Sequence, residues 1–161
     1  MANPIRISAS RLNSLDQCSW KFYCEEVLKL PSKTHPKTLV GTITHGILEC
    51  LLNPRHQDKY NRIIQEPSSV YNCPVVSRYI KIQQNKHGIE QKLIDDIDEM
   101  VLLVLKSTDY LDKKADERFA PEHEFKFKIA DKYEVKGFID RIYRKNNLYC
   151  IIDYKTKGSI S

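Results

Sequence analysis

The sequence predicts an α+β fold, with a helical N-terminal half packed on a three-stranded antiparallel β-meander. Two observations carry this expectation. Apolar residues recur at helical spacing as far as about residue 111, and from Pro121 the period changes to two. At 161 residues the chain is long enough to bury a core, and a single domain spanning 1–161 is expected.

The elements follow in order. "RISASRLNSLDQCSWKFYCEEVL" opens with serines suited to helix capping. Leu12, Leu15, Cys18 or Ser19, and Phe22 then recur at helical spacing, which predicts a helix from about Ser8 to about Tyr23. "KLPSKTHPKTLVG" reads as a loop, with two prolines and no period. "TITHGILECLLNP" reads as a second helix, capped by Thr42 or Thr44 and stopped by Pro54. Ile47, Leu48, Leu51 and Leu52 form its apolar stripe, and His45 lies beside that stripe. After a loop at "QEPSSVYNCP", "VVSRYIKIQQNK" predicts a short helix. A long helix from Ile89 to about Leu111 has apolar residues at 93, 94, 97, 100, 101, 104 and 105. Asp95, Asp96, Asp98 and Glu99 fall mostly on its outer face, where a solvated role is expected. "EHEFKFKI", "YEVKGFIDRIYR" and "LYCIIDYK" then alternate as three strands, turning at "ADK" and "KNN".

Composition narrows the function classes. Apolar residues make up 41% and charged residues 29%, which is globular rather than disordered. No apolar run reaches the ~18–20 residues of a membrane span, and "MANPIRISAS" lacks the apolar core of a signal peptide. A cytoplasmic protein away from the membrane is expected. The net charge of +5 weakly favours an anionic partner. The five cysteines, Cys18, Cys24, Cys50, Cys73 and Cys150, are odd in number and contain no C-x-x-C pair. A disulfide framework or four-cysteine zinc site is not expected.

The chemistry concentrates at the end of the last hairpin. Asn146 and Asn147 suit a two-residue turn, because asparagine tolerates positive φ. With those two residues at the tip, Lys145 faces Leu148 and Asp140 faces Asp153. Asp140, Asp153 and Lys155 then share one face of the sheet. A three-residue loop or a bulge would instead put the aspartates on opposite faces. Two carboxylates about 5 Å apart repel by roughly 3 kcal/mol at an effective dielectric near 20. A positive group belongs between them: Lys155, or more strongly a divalent cation such as Mg2+ or Mn2+.

These residues resemble a known family. Asp140, a gap of twelve residues, then Asp153-Tyr154-Lys155 is similar to the D…(D/E)xK signature of the PD-(D/E)xK nuclease superfamily, with Ile139 standing where the name has proline. "ISASRLNSLDQCSWKFYCEEVLKL", "GTITHGILECLL" and "EFKFKI…VKGFIDRIY…IIDYKTKG" resemble the opening helix, the G-x-x-x-H helix and the strand core of its RecB-like branch. That branch includes helicase-linked, CRISPR-adaptation and phage exonuclease domains.

The resemblance implies a restriction-endonuclease-like core and a metal-dependent DNA nuclease, more an exonuclease than an endonuclease, leaving 5′-phosphate ends. It implies that His45, Asp140, Asp153 and the main-chain carbonyl of Tyr154 hold Mg2+ or Mn2+, while Lys155 positions the attacking water. Glu124 would match a glutamate of the preceding strand that acts through water or braces the site, and Glu49, one turn beyond His45, is a candidate to share the metal or contact water. Arg11, Lys21, Lys136, Arg141 and Lys157 are candidates for phosphate contacts. The family's Q-x-x-x-Y helix beyond the D-x-K strand has no counterpart in this sequence, so the domain is expected to be truncated or incomplete at its C-terminus: a shortened chain, a split gene product, or a form completed by a second copy or a partner subunit. The branch's iron–sulfur cysteines match only at Cys18, so no cluster is expected, and Cys18 is expected to be buried beside Trp20 and Phe22. The alternative function is a catalytically incomplete module that binds nucleic acid or assembles with a partner chain.

Overall fold

A computed structural model describes residues 5–31, 36–66, 69–129 and 132–155. In chain order the elements are β1 (Ile5–Ile7), α1 (Ala9–Gln17), α2 (Ser19–Phe22), a π-helical turn (Tyr23–Val27) and α3 (Pro36–Leu52). Then come a 3-10 turn (Pro54–His56), α4 (Gln57–Gln65), a second 3-10 turn (Val70–Asn72), α5 (Pro74–His87) and α6 (Gln91–Asp112). The strands β2 (Glu117–Arg118), β3 (His123–Ile129), β4 (Tyr133–Ile139), β5 (Arg141–Lys145) and β6 (Leu148–Ile152) close the chain. Helices and sheets are mixed, as the change of period from 3.6 to two requires. No helix among the described residues is long and apolar enough to cross a membrane.

The chain divides into two compact units. The first draws on Met1–Thr34 and Glu124–Ile139. Its sheet has the order β1-β4-β3, with β1 parallel to β4 and Ile7 beside Val135. Ser8 caps α1, its hydroxyl accepting from the Arg11 N–H at 3.4 Å. The single helix expected from Ser8 to Tyr23 is broken at Cys18, whose backbone is extended and whose Sγ accepts from the Lys21 N–H at 3.4 Å. Cys18 is exposed, not packed beside Trp20 and Phe22 as expected, because it serves as the cap between two helices.

Arg11 ties this unit together. Its Nε donates to Glu26 Oε2 at 2.7 Å, and its Nη1 donates to the Arg6 carbonyl at 2.7 Å. The Arg11 guanidinium holds the Glu26 carboxyl below the usual carboxylate range. A carboxyl whose folded pKa is depressed contributes stability above its unfolded pKa and loses it as the pH falls through the folded value. Glu26→Gln should therefore lower the Tm at about pH 7 and lower it less at about pH 3, below the ordinary carboxylate range, where part of the contribution has been lost. Thermal melts at the two pH values check this, and a Tm difference of equal size at both would contradict it.

The second unit draws on His35–His123 and Asp140–Ser161. Its core is helical: Ile43, Ile47, Leu48 and Leu51 of α3 meet Val76 and Ile80 of α5 and Ile94, Ile97, Val101 and Leu105 of α6. Steps of three and four residues keep each set on one stripe. Tyr60 and Ile63 of α4 complete the core from a stretch to which the sequence reading gave no element. α3 starts at Pro36, earlier than expected. "THPKTLVG" reads as a loop from composition, yet proline's fixed φ suits a first helical turn. Asp98 is not merely solvated, since its carboxylate accepts from the Val70 N–H at 2.7 Å and anchors the turn there.

The sheet of this unit has the order β2-β5-β6. Asn146 and Asn147 both take positive φ, 49° and 60°, and Lys145 pairs with Leu148. The register runs unbroken to Arg141 opposite Ile152, as the twin-asparagine turn predicts. The continuous strand "YEVKGFIDRIYR" is, however, divided at Asp140, so the three-stranded meander becomes parts of two sheets. Two hydrogen bonds to residues distant in sequence hold the break: the Asp140 carboxylate accepts from the Tyr154 N–H at 2.5 Å, and its carbonyl accepts from the Glu122 N–H at 3.1 Å. Alternation of residue types continues through this bend, which is why periodicity does not reveal it.

Candidate metal centre

Three elements of the second unit converge. α3 supplies His45, two residues before the buried Ile47 and flanked by the buried Thr44. Gly46 lies directly under the phenol ring of Tyr79 from α5, and a Cβ there would overlap that ring. Glycine thus lets α5 pack against the helical turn that carries the imidazole. The bend before β5 supplies Asp140, 9% exposed. The segment leading into β3 supplies Glu122, and the chain after β6 brings the Tyr154 backbone.

His45 Nδ1 lies 3.3 Å from Asp140 Oδ1 and 3.6 Å from Glu122 Oε1. Its Nε2 lies 3.1 Å from the Tyr154 carbonyl oxygen. His45, Glu122 and Asp140 each offer a ligand atom within 4.8 Å of the others. Burial, and then the Asp140 charge, push the Glu122 carboxyl above the usual range. Glu122 also adopts φ 53°, a left-handed backbone unusual for a residue with a side chain. A left-handed backbone and two crowded carboxylates beside an imidazole form an arrangement that a shared cation would relieve. The donors are one imidazole nitrogen and two carboxylates, a nitrogen- and oxygen-rich set that fits a divalent cation, while the Tyr154 carbonyl lies at the other ring nitrogen.

The predicted residues do not all gather at this point. His45 and Asp140 do, with the Tyr154 carbonyl against the imidazole. Asp153 is exposed and paired with Lys155, Nζ to Oδ2 at 2.5 Å. That hydrogen bond, with the charges of Asp153 and Asp140, raises the Lys155 pKa, so the ammonium keeps its proton. The Tyr154 ring packs against the helical core, with its hydroxyl 3.5 Å from Thr108 Oγ1. Glu49 is close enough for its charge to add to the rise in the Glu122 pKa, but it makes no ligand contact. Glu124 belongs to the other unit and pairs with Lys136 at 3.1 Å.

Glu122 is the residue that sequence reasoning passed over. "PEHEF" offers two glutamates two positions apart, and only the left-handed turn at the first distinguishes them. Of the basic candidates, Arg11 is bound to Glu26, Lys21 lies 4.0 Å from Glu25, and Arg141 is buried. Lys157 lies outside the described residues.

A sequence model of the PD-(D/E)XK nuclease superfamily matches residues 6–160. The chain belongs to the PD-(D/E)XK nuclease superfamily. Comparison with curated proteins gave no match. Nucleases of this superfamily use divalent metals, which agrees with the donor set around His45.

Proposed function

We propose that this PD-(D/E)XK nuclease is a Mg2+- or Mn2+-dependent deoxyribonuclease of the RecB-like branch. It acts from DNA ends and leaves 5′-phosphates. The observation that carries this reading is the meeting of His45, Glu122 and Asp140 beside the D-x-K segment. The resemblance to a branch whose members process ends supports exonuclease action, and the net charge of +5 favours a polyanionic substrate.

A divalent ion held there would acidify a water and offset charge developing on the phosphoryl oxygens. His45, Glu122 and Asp140 would hold it, while the Tyr154 carbonyl, 3.1 Å from the other imidazole nitrogen, would orient the ring. The Tyr154 N–H bond to Asp140 Oδ2 fixes which oxygen of that carboxylate faces the imidazole. Asp153 joins the ligand set if its carboxylate turns from Lys155 toward Asp140, its expected opposite across the strands. Lys155, kept protonated, serves as a hydrogen-bond donor and positive charge for the phosphate rather than as a proton acceptor.

The test is cleavage by the purified chain of linear single-stranded, linear double-stranded and closed circular DNA. Expected is Mn2+- or Mg2+-dependent release of 5′-phosphorylated products from linear DNA, abolished by a chelator, with circles spared. Metal-dependent retention of DNA without cleavage would replace this reading with the non-catalytic module.

A further inference from the structure

Arg141 is unusual among the cations of this chain in being buried, with 3% exposure. Its Nη1 donates to the Leu52 carbonyl at 3.5 Å. Leu52 is the last residue of α3, so its carbonyl lies beyond the helix's own hydrogen-bond ladder. A guanidinium there satisfies an end carbonyl and sits at the negative end of the helix dipole.

The position of this contact matters more than its strength. His45 stands seven residues before Leu52 on α3, two turns or about 10 Å along the same face. Asp140 immediately precedes Arg141, and its carboxylate meets His45 at 3.3 Å. Two consecutive residues therefore hold one helix at two points, the carboxylate at the imidazole and the guanidinium at the helix end. One contact would allow the start of β5 to pivot; two fix both its height along α3 and its orientation.

We infer that Arg141 is a positioning residue for the metal centre, setting the Asp140–His45 spacing on which a shared cation depends. This rests on the metal-centre reading above. Arg141 also borders a cavity of about 220 Å3 with Leu52, Pro54, Gln57 and Tyr60. A shorter side chain would leave the Leu52 carbonyl beside room for water, so the contact can be lost without stranding a buried acceptor.

The test is Mn2+ binding by electron paramagnetic resonance titration of the full chain, its Arg141→Met variant and its Arg141→Lys variant, with a Tm for each. Because binding is read directly, the result does not depend on DNA cleavage. Arg141→Met should weaken Mn2+ binding about tenfold, the scale seen when a group that orients a metal ligand is removed. Arg141→Lys, which keeps the charge but loses the planar fork, should fall between the two. Under the cleavage assay the shift should appear in the metal concentration for half-maximal rate, with kcat at saturating metal near the parent value. Parent-like Mn2+ affinity in whichever variant folds overturns the inference. Absence of Mn2+ binding by the parent chain overturns the metal-centre reading and this inference with it.

Discussion

Asp140→Asn should abolish metal-dependent cleavage, by about 1,000-fold or more, while leaving the fold intact. Asparagine keeps the shape and can still accept the Tyr154 N–H through its side-chain oxygen. What it removes is the charge. In an ion-free fold the repulsion between this carboxylate and Glu122 offsets its attraction to the exposed Lys155 ammonium, so its charge adds little that asparagine would not. Its charge adds to the rise that burial imposes on the Glu122 pKa, so the substitution should hold or slightly raise the Tm in chelator. The loss falls instead on Mn2+ affinity and on kcat/KM. Several kcal/mol of transition-state stabilisation come from such an ion, at about 1.4 kcal/mol per tenfold in rate. Stability and function would thus move in opposite directions at one position, as expected where like charges are assembled for use. A Tm that falls sharply in chelator, with activity lost only in proportion to the unfolded fraction, would make Asp140 a structural residue.

Lys155→Ala should produce a different pattern. Its ammonium is exposed, bonded to Asp153, and influenced by the Asp140 charge without belonging to the cluster around His45. Mn2+ binding should therefore stay near the parent value, and the Tm should barely change. The turnover number should drop by about 100- to 1,000-fold, the usual cost of removing one donor aimed at developing charge. Metal titration and single-turnover cleavage on the same preparation separate the two effects. Weaker Mn2+ binding with unchanged kcat at saturating metal would assign Lys155 to the ion rather than to the phosphate.

The parts of this arrangement that the sequence exposes are those governed by local chemistry. Twin asparagines accept positive φ with little strain, so the turn at Asn146–Asn147, and with it the register of β5 on β6, follows from residue type alone. The stripe of Ile47, Leu48, Leu51 and Leu52 follows from helical spacing, and the structure extends it to Ile43. His45 and Asp140 are legible through the order of motifs that place them. The rest depends on contacts distant in sequence. The division of the strand at Asp140 arises from hydrogen bonds to Glu122 and Tyr154, and neither leaves a mark on the alternation of residue types. Glu122 enters the site through a left-handed turn for which no glycine or asparagine gives warning. α3 begins inside a segment whose prolines read as a loop. Cys18 sits at helical spacing yet breaks the helix, because its sulfur caps the next turn.

The most direct measurement is anomalous X-ray scattering from crystals of the chain grown with Mn2+. One manganese peak bonded to His45, Glu122 and Asp140, and missing from crystals of Asp140→Asn, is the predicted result. Density that places the ion on other residues, or His45 and Asp140 left uncoordinated at a manganese concentration that supports cleavage, would contradict it.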